Sequence, residues 1–139
     1  MITNVVIIRE ETPRMGIIPK ISEAEWEVMR VFWSKPHPCT ANEVYASLER
    51  TTDWKPNTVK TLITRLVKKE ALGFKENRRV YYYYPLVSED DCVRAETQSF
   101  VNRVFGGAAQ PLLVTFLQEE KLSRSEIDAL KQILEGKEE

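Results

Sequence analysis

Cysteine is scarce: only Cys39 and Cys92 occur among 139 residues, far apart and outside any CxxC spacing. A disulfide framework is therefore not expected. The single histidine, His37, lies in Pro36-His37-Pro38-Cys39. Histidine and cysteine there supply only two of the four ligands that zinc normally takes, so the segment reads as a loop between helices, with no metal or other cofactor. Long apolar runs are also missing, and Val5 to Ile8 or Pro111 to Val114 fall far short of the roughly 20 residues that span a bilayer. No basic segment followed by an apolar stretch and a small-residue cleavage site opens the sequence, so the expected location is the cytoplasm, without membrane insertion. GxSxG, P-loop and HExxH patterns are absent, and catalytic residues are expected to be none.

What is present is a globular composition, 42% hydrophobic and 29% charged, which favours neither disorder nor a coiled-coil rod. The net charge of -1 hides an asymmetry. Residues 55–85 carry eight Lys/Arg against two Asp/Glu, whereas 1–54 carry six against eight and 86–139 carry six against eleven. A basic block inside an acidic chain is a footprint for a polyanion, because each phosphate contact releases condensed counterions. The alternative is a solvated charged surface.

Residues 1–20 lack periodicity and contain Pro13, Gly16 and Pro19, the pattern of a loosely held arm. Ser22 with Glu25 three residues on is a capping box, and Trp26, Met29, Val31, Phe32 and Trp33 follow near helical spacing, giving a first helix to about Ser34. Pro36 and Pro38 break it. Thr40 with Glu43 caps a second helix of about ten residues, with Ala41, Val44 and Leu48 inward. Pro56 suits the first turn of a third helix, whose Val59, Leu62, Ile63, Leu66 and Val67 form a core-facing stripe. Gly73 is expected to end the helical region. Phe74-Lys75 and Val80 to Tyr84 then read as two strands joined through Glu76-Asn77-Arg78-Arg79, with Tyr81 and Tyr83 on one face and Val80, Tyr82 and Tyr84 on the other. Helices return over Glu89 to Phe105, Gln110 to Glu119, and a last segment capped by Ser123 with Glu126.

The expected fold is mainly α with a small β-hairpin wing: an arm over 1–20, a winged helix-turn-helix over 21–86 and a helical dimerisation region over 87–139. In that arrangement the third helix enters the major groove, where base pairs are fully distinguishable. Its outer face offers Asn57, Thr58, Thr61 and Thr64 to base edges or thymine methyls, and Lys60, Arg65 and Lys68 to phosphates or guanine. Thr40, Ala41 and Asn42 can turn main-chain N–H groups toward a phosphate. Arg78 and Arg79 on the wing suit an adjacent phosphate or the minor groove. The C-terminal helices carry apolar residues (Phe100, Val104, Leu112, Leu113, Phe116, Leu117, Ile127, Leu130, Ile133 and Leu134) that would be buried against a second copy, or against the chain's own winged helix.

Ile21 to Met29, Thr40 to Val44, Trp54 to Lys69 and Ser99 to Gly107 together resemble the penicillinase-repressor (BlaI/MecI/CopY) family, over Ile21 to Leu134. The resemblance implies a homodimeric repressor on a palindromic double-stranded DNA operator. It also implies inactivation by a protease linked to a membrane sensor, which cuts a bond matching Ser99-Phe100. Ser99 stands where the family often has Asn. No cysteine follows Cys92, so the CxCxxxxCxC motif of the copper-responsive branch is missing. The alternatives are a winged-helix repressor answering another signal, and a protein-interaction module that binds no DNA.

Overall fold

The computed structural model describes residues 18–137, so most of the arm expected over 1–20 lies outside the described residues. In chain order the elements are α1 Glu23–Ser34, α2 Ala41–Leu48, α3 Pro56–Lys68, β1 Leu72–Asn77, β2 Val80–Pro85, α4 Glu89–Phe105, α5 Ala109–Glu119 and α6 Arg124–Glu135. They fall into two compact units that part within α4, one ending at Glu96 and the other beginning at Thr97.

Local chemistry fixes the helix starts. Ser22 and Glu25 form a reciprocal capping box on α1, as Thr40 and Glu43 do on α2 and Ser123 and Glu126 on α6. Each box satisfies two N–H groups that the helix itself leaves without partners. Pro56 takes the first position of α3, where its missing donor costs nothing. Helix α2 is eight residues long rather than ten, because the Glu49 to Thr52 segment already turns back, with Thr51 and Thr52 N–H groups both reaching the Leu48 carbonyl.

The expectation that Gly73 ends the third helix is overturned. Glu70 takes the left-handed position at φ 65°, the Ala71 N–H bonds the Leu66 carbonyl and the Glu70 N–H bonds that of Val67, both at 2.9 Å. This pair of bonds is the Schellman stop, with buried Ala71 and Leu66 supplying its apolar contact. The chain then enters β1 directly, two residues earlier than the sequence indicated. Gly73 sits inside that strand opposite Tyr84, where a Cβ would come within 2.9 Å of the tyrosine ring; glycine is there to admit the ring.

The hairpin is antiparallel and in register from Leu72 opposite Pro85 to Asn77 opposite Val80. Its loop is therefore the two residues Arg78 and Arg79 alone, both with positive φ, 55° and 67°. A further antiparallel bridge joins Cys39 to Tyr83, through N–H to carbonyl bonds of 2.9 and 2.8 Å. The Pro36 to Cys39 loop is thus stitched to the wing.

The core of the first unit gathers Val28, Met29 and Phe32 of α1, Val44 and Leu48 of α2, and Val59, Leu62, Ile63 and Leu66 of α3, with Leu72, Val87 and Cys92 closing it. Each such side chain contributes about 1.5–3 kcal/mol on burial. Val67 and Ala41 pack only partly against this core. Trp26 and Trp33 also lie at its margin, edge to face at 5.7 Å. The Trp33 indole N–H donates to the Val87 carbonyl at 3.0 Å, so the wide aromatic keeps its polar atom satisfied. Ile18, within the expected arm, packs against the same core.

The second unit is built differently. Neither α5 nor α6 contains a buried residue. Among the described residues, no helix is long and apolar enough to cross a membrane.

Candidate nucleic-acid interface

The outer face of α3 is as the spacing required. Asn57, Thr58, Lys60, Thr61, Thr64, Arg65 and Lys68 are all exposed, while Val59, Leu62, Ile63 and Leu66 of the same helix are buried. No acidic residue occurs in the first turn, and Arg65 and Lys68 occupy the last one. One residue of the set is more constrained than its sequence position suggests. The Thr64 hydroxyl donates to the Lys60 carbonyl at 2.9 Å, so its one donor is used within the helix.

At the start of α2, Thr40 spends its own N–H on the Glu43 carboxylate at 2.8 Å and its hydroxyl on the Glu43 N–H. Of the three residues expected there to offer main-chain donors, Thr40 is thus committed to the cap. Ala41 and Asn42 have N–H groups that the box does not use.

Arg78 and Arg79 are exposed at the tip of the hairpin. Two-residue hairpin loops with positive φ at both positions ordinarily carry Asn-Gly, because a Cβ in the left-handed region costs about 1–2 kcal/mol. Arginine at both places retains strain that a smaller residue would relieve, a pattern concentrated at functional positions.

Between the wing, α2 and α3 lies a cleft of about 490 Å³ lined by Thr40, Asn42, Lys60, Glu76, Arg79 and Tyr81 among others. It brings Lys60 and Arg79, 19 positions apart in the chain, to one site. Tyr81 and Glu76 also line it and were not among the residues singled out from the sequence; the alternation of β2 was the signal that could have placed Tyr81 there.

One cation of the basic block is spent internally. Lys69, the C-cap of α3, pairs with the buried Glu25 carboxylate of α1 and donates to the Lys20 carbonyl at 2.7 Å. Burial alone pushes the Glu25 carboxyl up, but the Lys69 and Ser22 hydrogen bonds outweigh it and hold the group below its ordinary value. Both thiols are free and buried. Cys39 is buried and raised by burial, its Sγ donating to the His37 carbonyl, and burial pushes Cys92 up to about 11, with Asp91 adding to the shift.

In the second unit, Phe100, Val104, Leu113, Phe116, Leu117, Leu130, Ile133 and Leu134 are exposed, and Leu112 and Ile127 are half-buried. Ser99 and Phe100 lie inside α4. Their neighbourhood is held by local contacts: Arg103 donates to the Ser99 hydroxyl at 3.4 Å and lies 5.9 Å from the Phe100 ring centroid, and Phe105 meets that ring edge-on at 5.9 Å.

The model of the penicillinase repressor family matches residues 21–136. The penicillinase repressor of Bacillus licheniformis is 42% identical over 121 residues, covering 87% of this chain and 94% of that protein. The methicillin resistance regulatory protein MecI of Staphylococcus aureus (strain N315) is 39% identical over 118 residues, covering 85% of this chain and 95% of that one. The solution structure of the DNA binding domain of the repressor BlaI is 43% identical over 55% of this chain and 93% of its own, with a TM-score of 0.49. Three helices, a two-stranded wing and this span of similarity lead to one conclusion: the chain belongs to the penicillinase repressor family, a family of transcriptional repressors and not of enzymes.

Proposed function

We propose that the chain works in the cytoplasm as a homodimer, binds a palindromic operator with one winged helix on each half-site, and represses transcription until its C-terminal region is cut. The observation that carries the DNA-binding part is the exposed face of α3, seven polar or basic residues with no acid among them. An α-helix presenting such a face fits the major groove, and a wing with two arginines at its tip fits the flanking backbone. The similarity to named repressors over most of the chain supports the same reading.

Dimerisation is supported by the second unit. Leu113 is 47% exposed, Phe116 53%, Ile133 57% and Leu134 55%. Large apolar side chains left exposed on helices that bury none of their own residues mark an interaction site, and a second copy offers the matching surface under two-fold symmetry. Two heads related by such an axis read two inverted half-sites. Release by a protease coupled to a membrane sensor rests on the resemblance in the segment around Ser99-Phe100.

An electrophoretic mobility shift with the promoter region upstream of the chain's own reading frame tests the reading, with a scrambled duplex as competitor and two salt concentrations. A discrete shift that resists the competitor is expected. Binding no stronger to the promoter than to the scrambled duplex would overturn operator recognition, and binding to neither would leave a protein-interaction module.

A further inference from the structure

We propose that Tyr81 is an additional DNA-contacting residue: stacked on Phe74 at the mouth of the wing cleft, its ring packs a deoxyribose while its hydroxyl donates to a phosphate held by Lys60 and Arg79. The inference rests on the DNA-binding reading above. It begins from an exposed aromatic pair. Phe74 and Tyr81 stack at 5.1 Å with their planes 16° apart, yet they are 46% and 44% exposed. Aromatic rings contribute to a fold mainly through the area they bury, and this pair leaves much of its area in solvent.

The ring contacts of Tyr81 are with Phe74 and Tyr83 of the wing itself, the latter at 6.3 Å. Tyr83, next on the same face, makes the inward contacts, edge to face with Phe32 at 6.5 Å and bridged to Cys39 through the backbone. Tyr81 is therefore available to something that enters the cleft. Two cations, Lys60 and Arg79, line that cleft with it. A nucleic-acid strand alternates anionic phosphates with apolar sugar faces, and the cleft offers two cations and an aromatic side chain. Lys60 also belongs to the outer face of α3, so the cleft continues the surface that meets the groove, and a strand lying along that surface passes over the wing.

Glu76, the cross-strand partner of Tyr81, lines the same cleft. Its carboxylate opposes any phosphate seated there, so the site is weaker than its cations alone would make it.

The test is an anisotropy titration of the full chain against the promoter duplex and the scrambled duplex across a salt series. Tyr81→Phe keeps the ring and removes only the hydroxyl. It is expected to lower affinity about three- to tenfold on both duplexes, because a backbone contact is blind to sequence. Its salt slope stays that of the unmodified chain, since a neutral hydroxyl releases no counterion, while Arg79→Ala flattens the slope by about 0.9. Tyr81→Ala loses more than Tyr81→Phe, and Glu76→Gln gains affinity on both duplexes. Circular dichroism confirms that each variant retains its fold.

Unchanged affinity in Tyr81→Phe, or a loss seen on the promoter duplex alone, would overturn the hydroxyl-to-phosphate contact. Equal losses in Tyr81→Phe and Tyr81→Ala would remove the sugar contact, and an indifferent Glu76→Gln would remove the phosphate from this cleft. If the unmodified chain binds neither duplex, the DNA-binding reading itself fails. That result differs from a binding chain that is indifferent to Tyr81.

Discussion

The Lys69 ammonium, at the C-terminal cap of α3, is paired with the Glu25 carboxylate, which is 2% exposed and sits at the third position of α1. One carboxylate thus closes the capping box of the first helix and fixes the far end of α3, the helix proposed to face DNA.

This pair sets an acid limit on stability. The folded Glu25 carboxyl lies below the ordinary value of 4.5, so its contribution is complete above that value and is lost as the pH falls through the folded one. Lys69→Met leaves a buried carboxylate without its cation and is expected to cost about 1–3 kcal/mol at neutral pH, less than a fully enclosed pair because Lys69 is partly exposed. The difference between variant and unmodified chain should shrink as the pH falls below 4.5. Urea denaturation at several pH values measures it, and a pH-independent difference would sink the assignment.

The wing tip sets stability against binding. Replacing Arg79, at φ 67°, by glycine removes a left-handed Cβ and is expected to stabilise the fold by about 1 kcal/mol. The same change removes a cation from the cleft, so DNA affinity falls and its salt slope flattens by about 0.9. Thermal melts and salt-dependent titrations read the two effects separately. A variant that melts lower would show that Arg79 holds the turn rather than straining it.

On α3, Arg65→Ala and Lys68→Ala are expected to weaken operator binding while changing folding stability by no more than about 0.5 kcal/mol, since both side chains lie on the exposed face. Unchanged affinity in both variants would move the interface off this helix.

Phe116→Asp is expected to convert dimer to monomer at micromolar concentration in sedimentation velocity. A carboxylate placed unpaired in an apolar interface is costly, and Phe116 at 53% exposure contributes little to the folding of its own chain. A variant that still sediments as a dimer would place the interface elsewhere.

Much of this was legible because it was local. The boxes at Ser22, Thr40 and Ser123 need only a span of four residues each, and all three form. The stripe from Val59 to Leu66 needs only helical periodicity, so the outward face followed from the inward one. What was missed depends on distant partners or on an exception to residue preference. Glu25 and Lys69 are 44 positions apart, as are Cys39 and Tyr83, and no spacing rule joins either pair. The stop at Glu70 used a residue that seldom adopts φ 65°, which made the nearby Gly73 look like the terminator. In the candidate site, the α3 face was readable from one helix, whereas the cleft needed Lys60, Glu76 and Tyr81 brought together by the fold.

The helix α4 runs without a break from Glu89 through Phe105, past the point where the two units part. The core cluster of the first unit ends at Cys92, so a cut between Ser99 and Phe100 would leave every residue of that core on the same fragment. The severed head would keep its fold and its α3 face. If two copies pair through the second unit as proposed, it would lose the tether that makes a second head's encounter with DNA intramolecular, and with it the effective concentration that the tether supplies. Induction by such a cut would then be a loss of avidity, achieved without unfolding the first unit.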